Sequence, residues 1–313
     1  MAPMIHYTGT YADLYELTMA QIYFAAGRHQ DTAVFDYSFR KLPFDGGYAV
    51  FAGLDTLLEI LEDLRFEDKD LAFLKQQGFP TQFLDYLRDF RFRGNIYASR
   101  EGDLVFPTRP VLQVEANLIE AQIIESLLLN VLNFQTLIAT KAARIRQVVD
   151  QESLVDFGLR RAQGPAGYYA ARAAVIGGFD ATSNVLAARD FGLQASGTMA
   201  HSFIQVYGDE LSAFRDYAKY RPDSCVLLVD TYDTLNSGLP NAIKVGKELE
   251  SQGHRLQGIR LDSGDLAYLA GQSRTMLDRE GLDYVKIAVS NQLDEHVVKD
   301  LKEQGAPIQM YGV

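Results

Sequence analysis

The chain is 313 residues long, 47% hydrophobic, and carries a formal net charge of −11, which is enough apolar chain to bury a core as one large domain or two ordinary ones. That excess of carboxylates repels phosphate backbones and anionic membrane surfaces, so it argues against a nucleic-acid or membrane partner while leaving room for a small anionic ligand at a locally basic site. The single cysteine, Cys225 in the apolar run CVLLVD, excludes an intrachain disulfide and fits a reducing compartment, with the thiol buried and inert.

The opening MAPMIHYTGTYADLYELTMA has neither the basic start nor the apolar stretch of a secretory signal, and a cytoplasmic protein is expected. From Thr10, the helical spacing of TYADLYELTMAQIYFAAG, a Thr10/Asp13 capping pattern and Gly27 as a stop predict a helix. Short alternating runs follow: AVFDYSFRKL, GYAVFAG and, after a polar helical stretch, FRGNIYASREGDLVF. With turn signals at EGD and PTRP, they predict antiparallel strands with inserted helices. The stripe Leu118 to Ile138 is interrupted by Glu120, Gln122, Glu125, Asn130, Asn133 and Gln135. It reads as a buried helix, part of a long one from about Leu118 to Val149, and not as a membrane span.

Beyond that helix the pattern changes to apolar strand, polar or Gly turn, amphipathic helix, repeated several times. The predicted strands are SLVDFGLR, a short FDATS, LQASGTMAHSF, SCVLLVDTY, LQGIRLDSGD, DYVKIAVSN and IQMYGV. The predicted helices run from Pro165 to Ile176, Asn184 to Phe191, Asp209 to Tyr220, Pro240 to Ser251, Leu266 to Glu280 and Asp294 to Glu303. Repeated βα units imply a parallel sheet, and about seven of them favour a barrel over an open sheet. The expected division is a flanking α+β domain over 1–117 and an α/β barrel domain over 118–313.

In either architecture a ligand binds at the C-terminal ends of the parallel strands. Those ends carry Arg160 and Arg161, Thr182 to Asn184, Thr198 and His201, Asp230 and Asp233, Arg260 with Asp262 and Asp265, and Ser290 with Asn291. Arginines and carboxylates converging on one rim describe a site for a phosphorylated or pyrophosphorylated ligand with a metal ion. Each group also has a plainer use. Asp265 can simply cap the next helix. One of the paired arginines can serve a rim carboxylate while the other offers its fork to an anion, and nothing in the sequence says which. His201 can be a merely hydrogen-bonded histidine or, at a strand end among arginines and carboxylates, a catalytic one. It has no second histidine at metal-ligand spacing and no G-x-S-x-G elbow accompanies it. Asp13 and Tyr15 in DLYELTMA read as a helix-start residue and a half-buried aromatic.

Together, YADLYELTMA, FRGNIYASREGDLVFPTRPVLQVEANLIEAQIIESLLLNVLNFQTLIATKAAR, DFGLRRAQGP, GFDATSNVLAA, GTMAHSF, IRLDSGDL and VSNQLDE span nearly the whole chain, and the whole resembles a nicotinate phosphoribosyltransferase. The resemblance implies an irregular, TIM-like α/β barrel packed against a mostly antiparallel flanking domain, as a homodimer that shares its active sites. It implies that nicotinate and 5-phosphoribosyl 1-pyrophosphate are joined to nicotinate mononucleotide and pyrophosphate in NAD biosynthesis, coupled to ATP hydrolysis through a phosphorylated histidine matched by His201. On the same footing Arg160 would hold the nicotinate carboxylate, and Tyr15 with Asp13 would close the base site, from the neighbouring subunit if the dimer shares it. Arg260, Asp262 and Asp265 would face the phosphoribosyl and pyrophosphate groups, with the two aspartates on Mg²⁺. Thr198, Ser202, Ser290 and Asn291 are lesser candidates for the same pocket. The family continues past a stretch like MYGV into a Gly-Thr turn whose amides hold the 5′-phosphate, so a further segment is expected after Val313. The alternatives are a nicotinamide or quinolinate phosphoribosyltransferase, or a barrel that binds a nucleotide or phosphosugar without turnover.

Overall fold

The structure, a computed structural model, describes residues 6–313. They form two compact units: one runs to Ala142 and takes back Gly164–Gly177, and the other comprises Ala143–Gln163 and Gly178–Val313. The first unit therefore holds most of the long helix expected to open the barrel domain.

In chain order the first unit contains α1 (Leu14–Ala25), β1 (Thr32–Tyr37), β2 (Ala49–Val50), α2 (Leu54–Asp63), α3 (Asp68–Gln76), α4 (Thr81–Arg88), β3 (Asn95–Ala98), β4 (Leu104–Val105), β5 (Leu112–Asn117), α5 (Leu118–Ile123) and α6 (Glu125–Val148), whose last turns belong to the second unit. β5 is the centre of an antiparallel sheet ordered β1-β5-β3, and β2 pairs with β4. Sequence reading missed β5, although LQVEAN alternates strictly and its apolar residues are the buried ones. Its apolar face joins the helices in a core that includes Phe51, Leu57, Phe83, Leu87 and Ile119, all fully buried. No helix among the described residues is long and apolar enough to cross a membrane.

Two expected helix boundaries move, and one side chain explains both. The first helix starts at Leu14, not Thr10, because Glu16 accepts the Asp13 N–H at 3.1 Å in an Asp13/Glu16 capping arrangement. The Thr10 hydroxyl instead donates to Asp70. The other oxygen of Glu16 accepts the Ser126 N–H at 2.7 Å. A buried carboxylate thus stands in for a carbonyl of the preceding turn, and the helix expected from about Leu118 to Val149 divides into α5 and α6 around Ile124. Further along α6, Thr140 and Thr136 accept the N–H groups of Val50 and Ala52 at 2.9 and 3.2 Å. They satisfy an extended segment that a two-residue strand leaves largely without ladder partners.

The remaining elements are β6 (Ser153–Asp156), α7 (Pro165–Ile176), β7 (Ala181–Thr182), α8 (Val185–Phe191), α9 (His201–Tyr207), α10 (Glu210–Tyr220), β8 (Val226–Leu228), α11 (Leu239–Ser251), β9 (Gly258–Leu261), α12 (Leu266–Arg279), β10 (Lys286–Ser290), α13 (Glu295–Glu303) and β11 (Met310–Gly312). All belong to the second unit except α7, which the first unit holds through Arg172, a guanidinium paired with Glu101 at 2.6 Å and Asp55 at 2.9 Å. The six strands are parallel and ordered β7-β6-β11-β10-β9-β8. That order is cyclic: the last strand pairs with the first, as a barrel requires and a doubly wound sheet does not provide. The α/β barrel class is therefore as expected, with an irregularity between β7 and β8. There the predicted strand LQASGTMAHSF contributes a single bridge, Ala195 to Thr182, before the chain turns into α9. Gly197 and the polar residues beside it leave too short an apolar run to hold a strand ladder. Strand interiors such as Leu227, Leu228, Ile259, Leu261 and Ile287 are fully buried, as in a sheet covered on both faces.

Candidate active site

Residues paired in register across parallel strands point to the same side of the sheet, and so do residues two apart along a strand. Arg260 in β9 lies opposite Leu228 and Ala288. Two residues further on, the same face reaches the strand ends at Asp230, Asp262 and Ser290. These three are interlocked. The Asp262 N–H and the Ser263 hydroxyl both donate to Asp230 Oδ2 at 2.7 Å, and the Ser290 hydroxyl donates to Asp262 Oδ1. Asn291 Nδ2 donates to the Asp262 carbonyl at 3.0 Å from a backbone with φ of 80°, a conformation that asparagine tolerates better than other non-glycine residues.

Asp262 turns its other oxygen toward His201, with Nε2 to Oδ2 at 3.5 Å, and His201 Nδ1 lies 3.1 Å from Thr231 Oγ1. The imidazole opens α9 and is bracketed by side chains from the ends of β8 and β9, with 36% of the side chain exposed. A small solute can reach it. Ser202 is exposed in the same turn.

Arg260 Nη1 donates to Thr198 Oγ1, fastening the Gly-Thr stretch to the strand end. Burial lowers the affinity of this guanidinium for its proton, Asp262 and Asp230 oppose that effect, and the charge of Arg160 adds to it. Of the two exposed arginines in the turn Gly158–Arg161, Arg160 lies near enough to Arg260 for its charge to act there. Buried without a partner are Arg260 Nε and Asp230 Oδ1.

Two further strand-end carboxylates accept N–H groups where a helix begins. Asp265 accepts the Tyr268 N–H at 3.1 Å at the start of α12. Asp233 accepts from Leu235 and Asn236 in the turn that follows β8. Among the described residues no three His, Cys, Asp or Glu side chains gather as a metal cage. The rim fits the more open arrangement typical of Mg²⁺, with one or two carboxylates and the remaining positions left for ligand phosphates and water, and the unpartnered Asp230 Oδ1 is consistent with it.

Asp13 and Tyr15 lie in the first unit, against the start of α6. The Tyr15 hydroxyl donates to Glu125 at 2.9 Å and the Ser126 hydroxyl to Asp13 at 3.1 Å. Sequence reading missed Glu16, which organises this corner, and Thr231, the second partner of His201. The strand-end rule applied one residue beyond Asp230 would have found Thr231.

A family model described as the nicotinate phosphoribosyltransferase (NAPRTase) N-terminal domain matches residues 10–133. The model of the nicotinate phosphoribosyltransferase (NAPRTase) family matches 153–299. The nicotinate phosphoribosyltransferase of Bacillus subtilis (strain 168) is 52% identical over an alignment of 307 residues that covers 97% of this chain and 62% of the relative. The chain thus spans less than two thirds of that relative's length. A nicotinate phosphoribosyltransferase of Mycobacterium tuberculosis is 43% identical over 315 residues, covering all of this chain and 67% of the relative. The crystal structure of human nicotinic acid phosphoribosyltransferase superposes with a TM-score of 0.89 at 34% identity, over 96% of this chain and 72% of that one.

Proposed function

This chain belongs to the nicotinate phosphoribosyltransferase family, and on that premise we propose that the protein joins nicotinate to 5-phosphoribosyl 1-pyrophosphate in NAD biosynthesis, driven by ATP through a phosphohistidine at His201. The observation that carries the reading is the convergence of His201, Asp262, Arg260 and Thr198 on the strand-end rim. In the transfer, the bond between ribose C1 and the pyrophosphate oxygen breaks as the pyridine nitrogen bonds to C1. That nitrogen already carries its lone pair, so no general base is needed. The leaving pyrophosphate is met by the Arg260 guanidinium, while Arg160 offers its fork to the nicotinate carboxylate. Mg²⁺, when bound, would neutralise phosphate charge, and Asp262 and Asp265 would hold it. Thr198, Ser202, Ser290 and Asn291 would line the phosphoribosyl side. Asp13 and Tyr15 would close the base site of a neighbouring subunit in a homodimer working in the cytoplasm.

For the ATP step, a nitrogen of His201 attacks the γ-phosphorus as the bond from that phosphorus to the bridging oxygen breaks and ADP leaves, and water then takes the phosphoryl group from the imidazole as inorganic phosphate. The partners of the ring, Asp262 and Thr231, orient it for that attack. His201→Ala is expected to abolish ATP hydrolysis and acid-labile label from γ-labelled ATP, while a slow ATP-independent transfer survives. His254→Ala is the control, because His254 pairs with Asp223 near the start of β8 and not on the rim. Equal label in wild type and His201→Ala refutes the phosphohistidine. Absence of labelled mononucleotide from labelled nicotinate in the wild type refutes the transferase reading.

A further inference from the structure

Asp156 ends β6 immediately before the turn that carries Arg160, yet the residue is only 7% exposed and unavailable to a ligand. Register explains why. Gly312 pairs with Ser290 on one side and with Val155 on the other, so Val155 shares the rim face, and Phe157, two residues on, lies close enough that a Cβ on Gly312 would meet its ring at 2.3 Å. Asp156 and its partner Thr182 therefore point to the opposite face.

There each carboxylate oxygen has its own donor. Oδ1 accepts the Gly158 N–H at 2.8 Å and Oδ2 accepts the Thr182 hydroxyl at 2.7 Å. The Thr182 oxygen in turn accepts the Asn184 N–H at 3.0 Å, and the Asp156 carbonyl accepts the Ser183 N–H at 2.8 Å. A Cβ at Gly158 would sit 3.0 Å from Oδ1, so the chain doubles back tightly over the carboxylate. Asp156 is thus an acceptor-only group between two donors, one on each side of the strand end. An asparagine there must aim its NH₂ at one of them, at an N–H with nothing to accept or at a hydroxyl that then loses the acceptor for its own O–H.

We propose that Asp156, braced by Thr182, is a positioning residue that fixes the Gly158–Arg161 turn and thereby aims Arg160 at the carboxylate of the pyridine substrate. The inference rests on the transferase reading above. Neither residue needs to touch the substrate; they set the direction of a guanidinium whose fork is productive only when aligned with a carboxylate. The effect therefore belongs to the acid substrate and not to the phosphoribosyl donor.

The test compares wild type, Asp156→Asn, Thr182→Val and Thr182→Ser, with nicotinate and donor varied separately, and follows the Gly158 amide by selective ¹⁵N-glycine labelling. Asp156→Asn and Thr182→Val are expected to raise the KM for nicotinate by about tenfold or more, the scale on which misplaced orienting groups act. The donor KM should stay within about twofold, and Thr182→Ser, which keeps the hydroxyl, should behave as wild type. The Gly158 amide should move upfield in Asp156→Asn, because it then faces either an NH₂ or a neutral amide oxygen, a weaker acceptor than the carboxylate. Equal rises in both KM values, an unshifted Gly158 amide, or no kinetic change in either disruptive variant overturns the positioning role. A wild type without turnover of nicotinate overturns the transferase reading instead, and with it the substrate named here.

Discussion

Asp262 is the residue on which the rim converges, and its surroundings differ from those of the neighbouring carboxylate. It touches His201, receives Ser290 and is held at its own backbone by Asp230 and Asn291. Asp265, three residues later, is exposed and accepts one helix N–H. Asp265→Ala should then cost about 0.5–2 kcal/mol of stability, whereas Asp265→Asn, which keeps a capping oxygen, should cost little. Denaturant midpoints check this, and turnover against Mg²⁺ concentration decides the rest: a wild-type Mg²⁺ dependence in Asp265→Asn confines the residue to capping. Arg160 is expected to select the acid. Arg160→Ala should raise the KM for nicotinate about tenfold or more above any change for the donor, since only the pyridine acid offers a carboxylate to the fork. Steady-state kinetics with each substrate varied would show the split, and equal effects would count against the assignment.

At the scale of elements, the structure depends on a few side chains that end or join helices. Glu16 is fully buried, caps α1 and supplies an acceptor to the first turn of α6. Burial raises the affinity of this carboxyl for a proton, and the donors at Ser126 and Asp13 oppose that. Glu16→Ala would remove the acceptor of two part-buried N–H groups, and at about 0.5–1.5 kcal/mol for each lost hydrogen bond a loss of about 1–3 kcal/mol is expected. Glu16→Gln should lose less, since its amide keeps one acceptor. Urea unfolding of the two variants checks the order, and an Ala variant as stable as wild type would remove Glu16 from this role. On the barrel side, Gly238 serves a similar joining purpose. A Cβ there would fall 1.9 Å from the Val229 carbonyl, so only glycine lets the turn before α11 pass so close to the end of β8.

For the molecule as a whole, the interior sets an upper pH limit. Burial pushes the Cys225 thiol and the Tyr37 and Tyr311 hydroxyls each up to about 12, from ordinary values of 9.0 for the thiol and 10.0 for the tyrosines. All three stay neutral in the fold while the unfolded chain ionises first. Their contribution is therefore complete below about pH 9 and is lost between roughly 9 and 12. Denaturant midpoints should be flat from pH 7 to 8.5 and fall by pH 11, and an unchanged midpoint at pH 11 would contradict this. Much of this architecture was legible in the sequence. The βα repeat from Ser153 onward is local, each strand a short apolar run and each helix either capped by its own Asn or Asp (Asn184, Asp209, Asp265, Asp294) or opened by a Gly and a Pro in its first turn, so six helices appear within a residue or two of their expected bounds. The strand-end rule also placed Arg260, Asp262, Ser290 and His201 on one rim, because alternation and the direction of a parallel sheet need no knowledge of partners. What the sequence by itself could not determine were features made by residues distant along the chain. Glu16 divides a helix 110 positions away, and Thr231 and Asp262 reach His201 across gaps of 30 and 61 residues. Asp156 turns from the rim because of where β7 and β11 lie beside it. A hydrogen bond between distant segments leaves no periodicity in the sequence, and only the tertiary structure decides which donor meets which acceptor.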